Sequence, residues 1–186
     1  MQPLASGEIV LICGPMFAGK STRLIESLDA ARTGGANVVA IKPRRDDRYG
    51  VDKIVTHAGR DMPAESVSIE SEITEAVGGA AVVGIDELHF FNAAIADVIG
   101  ELSIRGKTVF TAGVDLDHRG EPFASITAVE RIADRVTRLT SRCSRCGADA
   151  QFTQRMIDSD EPIVVGGVGD YEPRCADCFE RPTERR

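Results

Sequence analysis

The sequence of 186 residues has a formal net charge of −7, 42% hydrophobic residues and a mean hydropathy near zero, which fits one globular domain with room for a small appendage and excludes a disordered chain. Its negative charge argues against a nucleic-acid coat, since it would repel a polyphosphate backbone, yet a mononucleotide can still bind at a local cation-lined loop. No apolar stretch reaches the roughly 18 residues of a membrane helix and no basic region precedes an apolar core at the N-terminus, so the expected setting is the cytoplasm, with neither membrane nor nucleic acid as partner.

The run Ile9-Val10-Leu11-Ile12-Cys13 reads as a buried strand, and Thr22-Arg23-Leu24-Ile25-Glu26-Ser27-Leu28 as a helix. Between them Gly14-Pro15-Met16-Phe17-Ala18-Gly19-Lys20-Ser21 fits the phosphate-loop pattern G-x-x-x-x-G-K-S/T at every fixed position. Glycines let such a backbone curl until successive N–H groups point inward, and the helix start adds partial positive charge. Lys20 is placed to reach the outer phosphates of a nucleotide and the Ser21 hydroxyl to serve Mg²⁺. A plain glycine turn is the bland alternative, outweighed by the strand-to-helix context. Cys13 reads as core filling, with a reactive thiol as the lesser reading.

Thr33-Gly34-Gly35-Ala36-Asn37 is a turn, and Val38-Val39-Ala40-Ile41 a second buried strand that Pro43 stops. The charged stretch 44–50 reads as a solvated loop and 56–63 as loop-like, while 70–77 forms a short helix ended by Gly78-Gly79. Ala80-Ala81-Val82-Val83-Gly84-Ile85 is a continuous apolar run, suited to a parallel strand covered on both faces. Ala94, Ile95, Val98, Ile99 and Leu102 recur at helical spacing before Gly106, and Thr108-Val109-Phe110-Thr111-Ala112-Gly113-Val114 supplies another strand. This alternation predicts an α/β fold with a mostly parallel sheet and ligands at the carboxyl ends of its strands, where Ser21 and Glu87 lie.

Asp86-Glu87 closes a buried strand, the usual setting of a Walker-B carboxylate. Neighbouring strand residues face opposite sides, so the pair divides the work: Asp86 orients the metal through its waters and Glu87 accepts the proton of the attacking hydroxyl. A pair of solvated acids is the plain alternative.

A second composition begins near Arg135, and the chain is divided into units 1–138 and 139–186. Four of the five cysteines form the pairs Cys143/Cys146 and Cys175/Cys178, a set suited to tetrahedral structural Zn²⁺; two disulfides or free thiols are the other readings. Between the pairs, Ile163-Val164-Val165 reads as a short apolar strand, followed by Gly166, Gly167, Gly169 and Tyr171. A glycine-softened loop anchored at both ends can close over a substrate and exclude water. By spacing alone Tyr171 reads as a packed structural residue.

Taken in order, residues 14–22, Asp47-Arg48-Tyr49, Thr56-His57, Ile85-Asp86-Glu87 with Phe90-Phe91, Asp115 with Arg119-Gly120-Glu121-Pro122-Phe123, Leu139-Thr140, and Val165-Gly166-Gly167 with Tyr171 resemble the type II, zinc-containing thymidine kinases over nearly the whole chain. The resemblance implies a P-loop NTPase core with a RecA-like sheet, plus a small C-terminal zinc-binding domain bearing a lasso loop. It implies transfer of the ATP γ-phosphoryl group to the 5′-hydroxyl of thymidine, giving dTMP and ADP, with Glu87 as general base. Gly14, Pro15, Met16, Phe17, Ala18, Gly19, Lys20, Ser21 and Thr22, together with Asp86, then serve ATP and Mg²⁺. Arg48 becomes a cation of the phosphate region, which replaces the solvated-loop reading. The nucleoside site falls to Met16, Glu87, His89, Phe90, His118 and Phe123, and to Pro162, Val164, Val165, Gly166, Gly167 and Tyr171 of the lasso. A homotetramer and feedback inhibition by dTTP are further implications. Leu88-His89 stands where the family usually has a small residue and Gln, and His118 where a Phe commonly faces the base; imidazole still stacks but adds polarity. The rival readings are a zinc-bearing P-loop ATPase or switch module that engages a macromolecule, and a kinase for another nucleoside such as deoxyuridine or deoxycytidine.

Overall fold

The computed structural model describes residues 6–182 apart from 49, 51, 57, 58, 160 and 162. Tyr49, His57 and Pro162 therefore lie outside the described residues.

Strand β1 (Ile9–Gly14) runs through the phosphate loop into α1 (Lys20–Thr33), followed by β2 (Val38–Pro43). Three short strands come next: β3 (Lys53–Val55), β4 (Asp61–Pro63) and β5 (Glu65–Val67). A 3₁₀ turn at Glu70–Glu72 leads into α2 (Ile73–Val77), and β6 (Val82–Ile85) ends at a second 3₁₀ turn, Leu88–Phe90. Then follow α3 (Ile95–Ile104), β7 (Thr108–Val114), α4 (Ala124–Glu130) and β8 (Arg135–Arg138). The main sheet has six strands in the order β5-β2-β6-β7-β1-β8, and every pairing is parallel. Parallel strands need coverage on both faces, and this sheet has it.

Alternate residues of β1 feed opposite cores. Ile9, Leu11 and Cys13 pack with Ile95, Ile99, Ile126 and Val129, whereas Val10 and Ile12 pack with Leu24, Ile25 and Leu28 of α1. Cys13 is fully buried, and burial pushes its thiol up to about 11, so it packs as a small apolar side chain and supplies no thiolate near neutrality. Gly84 brings α1 close to the sheet: a Cβ there would stand 2.4 Å from Leu28 Cδ1, in a side chain with 0% exposure. Gly84→Ala is accordingly expected to cost about 1–3 kcal/mol of stability through overpacking, as read by denaturant unfolding.

The structure corrects the loop reading of 56–63. β3 and β4 pair antiparallel, with Ile54 facing Met62, and both side chains join the core beneath α1. β5 adds an edge strand to the main sheet, and α4 covers the opposite face with Ile126 and Val129. The third helix begins at Ile95, one residue after the first of the apolar positions at helical spacing. No helix among the described residues is long and apolar enough to cross a membrane.

Beyond β8 the chain forms two small antiparallel ladders. One joins β9 (Ser141–Arg142) to β10 (Asp149–Ala150), the other β11 (Phe152–Arg155) to β12 (Tyr171–Arg174). Phe152 and Phe179 stack at 4.6 Å. The Thr153 hydroxyl accepts the Met16 N–H at 3.0 Å and the Ser141 hydroxyl donates to the Phe17 carbonyl at 3.3 Å, so both ladders are tied to the phosphate loop. The expected apolar strand at 163–165 is absent; these residues follow an irregular path.

Candidate active site

An open cleft lies at the carboxyl ends of β1, β2, β6 and β7. Its floor is the phosphate loop. Gly14 takes φ 138°, and a Cβ there would stand 2.2 Å from the Leu139 carbonyl oxygen, so only glycine lets the loop leave the sheet at this point. Among the described residues, Phe17 and Glu87 are the non-glycine residues with positive φ, 65° and 50°, and both line this cleft. Such backbone states cost of order 1–3 kcal/mol and persist where surrounding structure enforces them.

Lys20 opens α1 and donates from Nζ to the Pro15 carbonyl at 2.6 Å. Its burial lowers its pKa, against the raising effect of the Glu87 and Asp86 charges. Asp86 is 4% exposed, and the Ser21 hydroxyl acts to lower its pKa. Burial first, and the Glu87 charge second, push the Asp86 carboxyl up to about 7. β6 stops at Ile85, so Glu87 does not owe its direction to strand alternation: the left-handed turn at Glu87 itself swings its side chain into the cleft.

There Glu87 meets two bases. One oxygen pairs with Arg48 Nη2, and the other lies 3.5 Å from His89 Nδ1. Arg48 also donates from Nε to Asp46 at 2.6 Å and from Nη1 to the Gly166 carbonyl at 3.0 Å. Burial alone would lower the Arg48 pKa, but Glu87 and Asp46 outweigh it and hold the guanidinium charged. The Val114 N–H donates to His89 Nδ1 at 3.3 Å, which places the ring proton on Nε2, and burial takes the imidazole down to about 4. His89 is thus neutral and packs at 4.4 Å from the Phe90 ring and 5.2 Å from the Phe123 ring.

The far wall is the segment between the cysteine pairs. Arg45 donates to the Ile163 carbonyl at 3.1 Å, and the Tyr171 hydroxyl donates to the Val164 carbonyl at 2.9 Å. Arg155 lies over the Tyr171 ring, 5.8 Å from its centroid. His118 lines the same wall; burial and the Arg155 charge lower its pKa, and its Nδ1 has no hydrogen-bond partner among the described residues.

Of the residues expected here, Met16, Phe17, Gly19, Lys20, Ser21, Thr22, Arg48, Asp86, Glu87, His89, Phe90, His118, Phe123, Val164, Gly166 and Tyr171 line the cleft. Gly14, Pro15 and Ala18 shape the loop without lining it, and Val165 and Gly167 do not line it either. Lys42, Asp46, Thr153 and Arg155 line it and escaped the sequence reading. Lys42 and Asp46 left a signal, an ammonium inside an apolar strand and an acid beside it; Thr153 left none.

The sulfurs of Cys143, Cys146, Cys175 and Cys178 all lie within 4.8 Å of one another, and the cysteines are free thiols rather than disulfides. Zn–S bonds of about 2.3 Å give a tetrahedron with sulfur edges of roughly 3.8 Å, so the donor set fits zinc and leaves no open position. The turn after Cys143 supports the geometry: Gly147, at φ 77°, donates to the Cys143 carbonyl at 2.8 Å.

A phosphate loop and an acidic pair at one cleft define a nucleotide-binding site of the P-loop kind. A family model described as thymidine kinase matches residues 7–179, and the chain belongs to the thymidine kinase family. Its reaction is the phosphorylation of a nucleoside. Among solved structures, the flagellar accessory protein FlaH from Methanocaldococcus jannaschii is similar at 11% identity, over 92% of this chain and 88% of that one, with a TM-score of 0.50; the likeness is one of fold. A DNA replication initiation factor is similar at 11% identity and a TM-score of 0.43 over 72% of this chain, which spans 41% of that protein's length.

Proposed function

We propose that the protein transfers the γ-phosphoryl group of ATP to the 5′-hydroxyl of thymidine, yielding dTMP and ADP. The observation that carries this reading is Glu87, turned by a left-handed residue into the cleft that also holds the phosphate loop, with the aromatic pair His89 and Phe90 beside it. The loop amides and Lys20 bind the triphosphate, Lys20 exchanging its bond to Pro15 for one to phosphate. Ser21 and Asp86 are the groups that would hold Mg²⁺, which when bound neutralises charge on the β- and γ-oxygens. Glu87 accepts the proton of the attacking hydroxyl as the oxygen approaches phosphorus, and Arg48, already beside that carboxylate, faces the same region. The base sits among Met16, Phe90, His118, Phe123 and the 163–171 segment, where closure excludes water that would otherwise compete for the phosphoryl group.

In this reading residues 1–138 bind the nucleotide and 139–186 form a zinc-stapled lid. A homotetramer, dTTP as feedback inhibitor and a cytoplasmic setting rest on family likeness alone. The test is a phosphoryl-transfer assay with ATP and thymidine, deoxyuridine or deoxycytidine. Thymidine is expected to be turned over fastest, with ADP formed only when a nucleoside is present. Hydrolysis of ATP without any nucleoside would favour an ATPase or switch module, and preference for deoxycytidine would favour a different nucleoside kinase.

A further inference from the structure

Lys42 lines the cleft at only 2% exposure, and no step above uses it. Its ammonium donates to the Gly50 carbonyl at 3.0 Å and the Lys53 carbonyl at 3.2 Å, and stands 3.4 Å from Asp46 Oδ2. A charge buried this deeply is tolerated because its donors are matched, and the result is a loop after β2 pinned to β3. Asp46, 5% exposed, gives its other oxygen to Arg48 Nε at 2.6 Å. Burial alone would raise the Asp46 pKa, but Arg48 and Lys42 outweigh it and keep the carboxylate ionised. A guanidinium is a rigid planar fork, so holding its Nε edge fixes the direction of both Nη groups. Those two groups reach Glu87 and the Gly166 carbonyl, on the turn after β6 and on the lasso.

We propose that Asp46, anchored by Lys42, is a positioning residue for phosphoryl transfer: it aims Arg48 so that Glu87 and the Gly166 carbonyl are gripped together, which makes the orientation of the base depend on closure of the lid. The inference rests on the reading of Glu87 as general base. Neither Asp46 nor Lys42 touches a reacting atom. An open lid leaves one Nη without its carbonyl, so the fork keeps its hold on Asp46 but loses one of its three anchors, and the carboxylate is held most firmly when the 163–171 segment covers the nucleoside.

Asp46→Asn keeps the shape and removes the charge that fixes Nε. With rates expressed per ATP-binding chain, its kcat is expected to fall about 10- to 100-fold while KM for ATP stays within about twofold. In a Glu87→Gln background the same change is expected to alter the residual rate by less than about twofold, because the group being aimed is already gone. Amide hydrogen exchange along 163–170 is expected to quicken in Asp46→Asn. Lys42→Met, read per ATP-binding chain in the same way, should repeat the kcat loss at lower thermal stability. An undiminished kcat, equal losses in both backgrounds, or unchanged exchange in the lasso overturns the proposal. A Glu87→Gln protein with parental kcat instead removes the general-base reading itself, so the two failures are told apart.

Discussion

The Glu87→Gln protein is expected to lose about 10²- to 10⁴-fold in kcat for nucleoside phosphorylation while still binding ATP. Gln has the size of Glu and can occupy the same left-handed turn, so the main sheet should be undisturbed. What it cannot do is take a proton from an alcohol as that oxygen bonds to phosphorus. In the proposed reading ATP binding rests on the loop amides and Lys20, whose closest partner is the Pro15 carbonyl. Steady-state kinetics alongside nucleotide titration separates the two properties. A parental kcat would assign the proton to another group, and loss of ATP binding would recast Glu87 as part of the phosphate site.

Removing one sulfur from the C-terminal cluster is expected to have a comparably large effect by a different route. Metal analysis should find one zinc per chain, and Cys175→Ser should release it, since a hydroxyl is a poor substitute for thiolate. The buried apolar core around this cluster consists of Cys143, Ala150 and Cys175, with Cys178 packed against it. Such a core is too small to hold four short strands together, whereas structural zinc contributes apparent binding energies of about 10–16 kcal/mol. The ladders carry the Thr153 bond to Met16, the Ser141 bond to Phe17 and the Tyr171 bond to Val164, so their loss removes one wall of the cleft and two supports of the phosphate loop together. Activity should fall near background while the main sheet still unfolds cooperatively. Metal-free protein with full activity and an unchanged lasso would overturn the stapling role.

The two halves of the chain were legible to different degrees. β1, β2, β6 and β7 announce themselves as apolar runs because both of their faces are covered, and the loop after β1 follows a motif whose glycines have geometric work to do. β3, β4 and β5 span three residues each, with polar neighbours, so no periodicity has room to develop. The apolar run at 163–165 has strand composition but no ladder, because the carbonyls of Ile163 and Val164 are taken by the Arg45 and Tyr171 side chains. Arg48 read as solvated for a similar reason: its partners Glu87 and Gly166 lie 39 and 118 residues away, and nothing local reveals them. Glu87 lines the cleft, but its own backbone angle, and not strand alternation, gives it that direction.

Three side chains that hold the lasso, Arg45, Arg48 and Tyr171, bind main-chain oxygens of residues 163, 164 and 166. The grip is therefore indifferent to the side chains at 163 and 164, and apolar exchanges there can accumulate without loosening it. Position 166 has no such latitude: a Cβ would come within 2.9 Å of Asp170 Oδ2 and 3.0 Å of the Tyr171 ring. Whatever limits the side chains at 163 and 164 therefore comes from the cleft they line and not from the hold on the loop, whereas the glycine is fixed by the hold itself.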